Sequence, residues 1–223
     1  MMNIAENILK HSLRNVYFLT GTPCGGKTTA AQAISKKYGF VPFKENWHEE
    51  NFAVWQSIID ERYQKNASKR QTVTDWEAYF GRTVEEFLAD DNECNDYGEY
   101  LEYAIIELIK LSQNNIVISD IGFPMKLLTE IADYNKVACL LADPKLATCE
   151  NYGNREDHRE FLECILSLKD PQKKIAVQDE RFRIGAEKAH AEAREYGMFS
   201  IVRDQDSTVE NSLKLLETHF GLA

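Results

Sequence analysis

An α/β fold with a parallel sheet covered by helices on both faces is what the chain predicts, on two observations. Five short apolar runs, 16–20, 40–43, 116–120, 137–141 and 198–202, are each followed by a turn or helix signal. That is how strands buried on both faces read. The first run passes directly into Gly21-Thr22-Pro23-Cys24-Gly25-Gly26-Lys27-Thr28, and a helix-forming stretch follows at once. With 223 residues the chain is long enough for one well-buried domain carrying helical excursions.

The elements follow in order. Residues 1–14 mix Asn, Glu, Lys and His with apolar side chains and lack a signal-peptide core, so they predict a short amphipathic helix beside the sheet. Strand 16–20 leads to a helix over 28–38, closed by Gly39. After strand 40–43 a long helical stretch covers 46–113, ending in a stripe of Tyr97, Tyr100, Leu101, Ala104, Ile105, Leu108 and Leu111. Strand 116–120 precedes a helix that starts with Pro124 at its first position. Strand 137–141 is followed by polar-interrupted helix over 145–196. After strand 198–202, Ser207-Thr208-Val209-Glu210 matches a capping box for a last helix, with Val209, Leu213, Leu216 and Phe220 on one face.

The glycine-rich segment has the spacing G-x-x-x-x-G-K-T, a phosphate-binding loop between strand and helix. Gly21, Gly25 and Gly26 allow tight turns and close backbone approach, so that several N–H groups point at one anion. The following helix adds the positive end of its dipole. Lys27 is expected to reach the β- and γ-phosphates of ATP, and the Thr28 hydroxyl to ligate Mg²⁺. The segment expected to contact nucleotide is Gly21, Thr22, Pro23, Cys24, Gly25, Gly26, Lys27, Thr28 and Thr29.

Charge and cysteine usage narrow the surroundings. The net charge is −10, and residues 45–102 hold 15 acidic against five basic side chains, so the remainder is balanced. That distribution argues against a nucleic-acid partner, which calls for a basic stripe, and is otherwise that of a solvated acidic face. The longest apolar run, 137–142, is far short of a membrane span. Five cysteines without a C-x-x-C pair argue against zinc and predict reduced thiols in a cytoplasm. Cys24 lies inside the loop, as a small filler or as a point where oxidation would block nucleotide.

Ligands of open parallel sheets bind beyond the carboxyl ends of the strands, and three further features fall there. Asp120 ends a very apolar strand, where a carboxylate suits orienting Mg²⁺ or deprotonating an acceptor hydroxyl; otherwise it caps a loop. Glu45, just after the second strand, is a second candidate acid or one more surface glutamate. Arg155 and Arg159 are four apart, so a helix would place both on one face; with Arg181 and Arg183 they are candidates for a closing arginine or for surface ion pairs. Trp47, Phe52, Trp55, Trp76, Tyr79 and Phe80 read as a helical core or as a stacking platform for a flat acceptor.

This order of elements resembles the P-loop kinases of small molecules, the group of nucleoside monophosphate, shikimate, gluconate and nucleoside kinases. The resemblance rests on the loop at 21–28, a helical excursion after the second strand, Leu140-Leu141-Ala142-Asp143-Pro144, and an arginine-bearing segment behind it. It implies a P-loop NTPase three-layer α/β/α fold, with five parallel strands in the order 2-3-1-4-5. It implies one domain with core 14–45, 114–149 and 197–223, an acceptor-binding helical insert over 46–113, a mobile helical lid around 150–185, and adenine contacts near 203–207. Arg82 is then a candidate acceptor ligand beside Glu45. Departures from the subgroup patterns are plain. The 155–160 segment only partly follows R-x-D-D, the insert offers only Arg62, Arg70 and Arg82 for an anionic acceptor, and Asp120-Ile-Gly lacks the arginine and serine of nucleoside kinases. The expectation is therefore ATP- and Mg²⁺-dependent transfer of the γ-phosphate to a hydroxyl of a small uncharged or cationic acceptor. Two alternatives are a nucleoside or nucleoside monophosphate kinase, and a nucleotide-switched regulatory ATPase.

Overall fold

Each of the five apolar runs becomes a strand of one parallel sheet in the order β2-β3-β1-β4-β5. The strands are β1 (Val16–Gly21), β2 (Val41–Phe43), β3 (Val117–Ser119), β4 (Val137–Ala142) and β5 (Ser200–Arg203). The computed structural model describes residues 6–44, 73, 75–94, 98–154 and 158–222. The register is continuous: Phe18 lies beside Ser119 of β3 and Val137 of β4, and Leu140 beside Ile201 of β5.

Alternation along the strands builds the two cores, because successive side chains point to opposite faces. Val16, Phe18, Val117 and Val137 face α5 (Gly98–Ser112) and α6 (Met125–Ile131), through Leu101, Ala104, Ile105, Leu108, Leu128 and Ile131. The stripe expected at 97–111 is thus buried from Leu101 to Leu108, while Tyr97 lies outside the described residues. α1 (Glu6–Ser12) adds Leu9 at the edge of this core. Tyr17, Leu19, Ile118, Ala138 and Leu140 face the other way, onto Ala30, Ala31 and Ile34 of α2 (Lys27–Tyr38) and Leu216 and Phe220 of α10 (Val209–Phe220). The result is helix, sheet, helix, with the inner strands β1, β3 and β4 buried on both faces.

Between β2 and β3 the chain also makes α3 (Trp76–Phe80) and α4 (Val84–Cys94), and between β4 and β5 it makes α7 (Cys149–Gly153), α8 (Arg159–Leu166) and the long α9 (Pro171–Glu195). The residues expected to form a lid, 150–185, fall in α7, α8 and the first half of α9. They share a separate hydrophobic cluster with the insert: Phe80 and Phe87 meet Cys149 and Ile165, with Tyr79, Phe161, Leu162 and Phe182 packed around them. Gly153 makes the α7–α8 packing close, since a Cβ there would meet the Leu162 Cβ at 2.4 Å.

Helix starts differ from expectation in three places. Pro124 lies just outside α6, at ψ 133, because its extended conformation serves the turn before Met125. Thr208 rather than Ser207 caps α10, its side chain accepting from the Asn211 amide. Ser207 instead donates to the Asp204 carboxylate at 2.6 Å. α2 also begins one residue early, at Lys27.

Candidate functional site

The phosphate-binding loop is tied to β4 by backbone contacts. The Thr22 amide donates to the Leu140 carbonyl at 3.1 Å, and the Thr22 hydroxyl accepts from the Ala142 amide at 2.7 Å. Gly21 and Gly25 both crowd that carbonyl: a Cβ on either would lie 2.1 Å from the Leu140 oxygen. These two glycines are therefore required by strand β4. Gly26 has open space around it and is required for its backbone, at φ 94 in the left-handed region.

Cys24 is also left-handed, at φ 61, which costs a residue with a Cβ about 1–2 kcal/mol. Its carbonyl is held from across the sheet by Arg203 Nη1 at 2.9 Å. Left-handed residues on both sides of Gly25 give the alternating backbone that turns successive N–H groups into one concavity. α2 opens from Gly26 with no side-chain cap, so its first-turn amides are left for a ligand. By contrast, α3, α7 and α10 are capped by Asp75, Thr148 and Thr208.

Lys27 is buried, at 6% exposure, and its ammonium donates to the Thr22 carbonyl at 3.1 Å. A buried cation folded back over the loop fits a site that receives phosphate. Thr28 is half-buried and Thr29 and Pro23 are exposed at the same turn. Asp120 lies one residue past β3, 2% exposed, its amide donating to the Phe43 carbonyl at 3.2 Å. Because β1 and β3 are paired parallel neighbours, Asp120 and the loop leave the same carboxyl end of the sheet. Thr20 reinforces this corner by donating to the Phe123 carbonyl at 2.8 Å. Among the described residues no three acidic, His or Cys side chains form a metal cage. Mg²⁺ held by one or two protein oxygens and by phosphate needs none. The donor set of Thr28 and Asp120 fits such an ion.

The remaining candidates separate. Glu45 and Arg155 lie outside the described residues. Arg159 is exposed at the start of α8; α7 ends at Gly153, so no single helix runs from the 150s into α8. Arg183 is committed to ion pairs with Glu180 and Glu187 on its own helix, and these hold its guanidinium pKa above the ordinary arginine value. Arg82 turns over two rings, with its guanidinium carbon 4.4 Å from the Tyr79 centroid and 4.1 Å from that of Phe87. Arg181 lies over the same Phe87 ring at 4.9 Å and donates to Gln178 Oε1 at 3.1 Å. Trp47, Phe52 and Trp55 lie outside the described residues, and Trp76 is 44% exposed beside Tyr79 and Phe80.

Two features escape a reading of the sequence. Arg203 as a brace for the loop leaves no local pattern, because its partner is a carbonyl at the other end of the chain. Thr83-Val84-Glu85-Glu86 does leave one. The Thr83 amide donates to Glu86 Oε2 at 2.8 Å and the Glu86 amide to the Thr83 hydroxyl at 3.3 Å, a capping box that fixes the start of α4 and hence Phe87.

Cys24, Cys139, Cys149 and Cys164 form no disulfide among the described residues. Burial pushes the Cys139 thiol up to about 12 and that of Cys149 up as well, the latter helped by the nearby Asp179 carboxylate. No described helix is long and apolar enough to cross a membrane.

No protein-family model matches the chain, and no curated protein matches its sequence. Among solved structures it is similar to a shikimate kinase from Acinetobacter baumannii in complex with shikimate, at 15% identity and a TM-score of 0.47, over 93% of each chain. It is also similar to a shikimate kinase from Bacteroides thetaiotaomicron, at 18% identity and a TM-score of 0.38, over 91% of this chain and 96% of the other. Both belong to the small-molecule kinases that the sequence resembles.

Proposed function

We propose that the chain is an ATP-dependent phosphotransferase acting on a hydroxyl of a small acceptor. The observation that supports this reading is the pairing, at the carboxyl end of the sheet, of a glycine loop carrying a buried lysine with a buried aspartate just past the neighbouring strand. In this reading the loop amides and the Lys27 ammonium bind the β- and γ-phosphates and stabilise the charge that develops on the transferred group. Thr28 and Asp120 would hold Mg²⁺, which neutralises charge on the phosphates when bound. The Asp120 carboxylate takes the acceptor hydroxyl proton as the new oxygen–phosphorus bond forms and the bond to the departing ADP breaks. The arginine that closes over the phosphates is assigned to Arg155 or Arg159; Arg183 is spent on ion pairs and Arg181 is turned to Phe87.

The test is Mg²⁺-dependent ADP release from ATP across nucleosides, nucleoside monophosphates, sugars, polyols, hydroxy acids and aminated antibiotics, with product masses measured. One acceptor gaining a phosphate is the expected result. Asp120→Asn is expected to lower that turnover by roughly two orders of magnitude or more, with ATP affinity similar. Full turnover in Asp120→Asn would remove the aspartate from the mechanism. Slow ADP release indifferent to every acceptor would replace the kinase with a nucleotide switch.

A further inference from the structure

Residues from opposite ends of the chain meet at the Cys24 backbone. Cys24 stands at φ 61, in the left-handed region that is unfavourable for a residue with a Cβ, and its carbonyl accepts from Arg203 Nη1 at 2.9 Å. The peptide unit joining Cys24 to Gly25 therefore has a cation at its oxygen end. At its nitrogen end the Gly25 amide donates to the Thr22 carbonyl at 3.3 Å, a long bond to an oxygen that also receives the Lys27 ammonium at 3.1 Å. Arg203 is the stronger hold on this peptide plane, because a charged donor makes a shorter and stronger bond than a neutral amide.

Arg203 belongs to the same frame as the loop. It is the last residue of β5, and its carbonyl accepts from the Asp143 amide at 2.8 Å. One residue earlier, the Ala142 amide donates to the Thr22 hydroxyl at 2.7 Å. The arginine side chain is exposed, so its contact bears on the loop and adds little to the buried core. The polar groups that follow it are turned inward. The Asp204 carboxylate accepts from the Ser207 hydroxyl at 2.6 Å and from the Asp206 amide at 3.1 Å, and the Asp204 amide donates to the Ser207 hydroxyl at 3.0 Å. The segment after β5 ties its acid into its own turn and sends its arginine to the phosphate loop.

We infer that Arg203 is a positioning residue for the phosphate half of the nucleotide: it offsets the cost of the left-handed turn at Cys24 and so keeps the loop amides in their concavity. A charge-assisted hydrogen bond is of the size that this requires. The inference rests on the reading of the loop as a phosphate site, and not on transfer to an acceptor. It gives this side chain a role different from the adenine contact that the family resemblance implies near 203–207.

The experiment is calorimetric titration of the full chain with Mg²⁺ and either inorganic tripolyphosphate or ATP. Both are expected to bind, and Arg203→Gln is expected to weaken the two by the same factor, roughly tenfold. Without ligand its melting temperature is expected to stay close to that of the parent, since the contact lies on the surface. Arg203→Lys keeps a charged donor and is expected to recover part of the loss. Glycine adopts the left-handed turn without penalty, so in a Cys24→Gly background Arg203→Gln is expected to weaken tripolyphosphate by about threefold or less. A loss for ATP with tripolyphosphate unchanged would make the arginine a contact to base or ribose and overturn the inference. An equal loss in both backgrounds would mean that its charge acts on the phosphates directly, and overturns it too, as does full affinity in Arg203→Gln. Binding with the expected dependence on Arg203 but no phosphorylated acceptor retires the kinase reading alone. A phosphorylated acceptor with binding indifferent to Arg203 retires the positioning role alone, and no binding of either probe by the parent retires both.

Discussion

At the carboxyl end of the sheet the phosphate loop is held by backbone: the Leu140 carbonyl receives the Thr22 amide and leaves no room for a Cβ at Gly21 or Gly25. In the helical module of α3, α4, α7, α8 and α9 the fastening is done by side chains. Phe80, Phe87 and Ile165 form its centre, and the Glu77 carboxylate reaches Lys174 Nζ at 2.6 Å and the Lys169 amide at 3.1 Å. The first kind of construction fixes atoms to a strand and permits little movement. The second joins insert and lid into one packed unit, so that what was expected to be two excursions shares a single small core. A rigid corner for the phosphates thus faces a unit that has its own core.

That contrast can be broken from either side. Phe87→Ala is expected to have the largest effect, a loss of about 3–5 kcal/mol, the range for deleting a fully buried phenylalanine. Hydrogen exchange should show protection lost in α3, α4 and α8 before β1, β3 and β4; equal loss in the strands would mean the two cores are one cooperative unit. Gly25→Ala is expected to cost about 1–3 kcal/mol from overpacking against a carbonyl that cannot move aside. ATP binding measured alongside should fall with it, and retained binding would show that the loop can leave β4 at little cost.

The Glu77 contact sharpens the comparison through pH. The Lys174 ammonium, and after it the Lys169 amide, hold the Glu77 carboxyl below the ordinary glutamate range. A group whose folded pKa is depressed stabilises the fold above its unfolded pKa and loses that contribution as pH falls through the folded value. Glu77→Gln should therefore melt lower than the parent at neutral pH, and the two curves should converge in acid. A gap that is constant with pH would assign the effect to packing. The smallest effect is expected at Arg183→Ala, whose ion pairs lie along an exposed helix face. Turnover and melting temperature should both stay close to the parent, and a large loss of turnover would return Arg183 to the site.

The same contrast explains what could be read from the sequence. The loop was legible because Gly21 to Thr28 is contiguous, and every chemical requirement of a phosphate cradle falls within one turn. The sheet was legible because strands buried on both faces are short apolar runs with few competitors. Its order followed from the family resemblance. The cap at Thr208 was missed by one residue because Ser207 and Thr208 both offer a hydroxyl, and only the Asp204 carboxylate decides which is free to cap. The Arg82–Phe87–Arg181 grouping was illegible in principle. No spacing connects α9 to the start of α4.

Arg203 gives the loop a dependence on time. Its guanidinium holds the Cys24 carbonyl, and its own carbonyl accepts from the Asp143 amide beyond β4, so the last strand braces a loop near the first. A chain leaves the ribosome from its N-terminus, and residues 1–199 can be made before this brace exists. Until then the Cys24 carbonyl lacks the Arg203 contact and β4 lacks its β5 neighbour. The shape of the phosphate loop thus draws on a residue made long after the motif itself, and a release of synthesis before Ser200 is expected to yield a product that carries the whole motif without this brace.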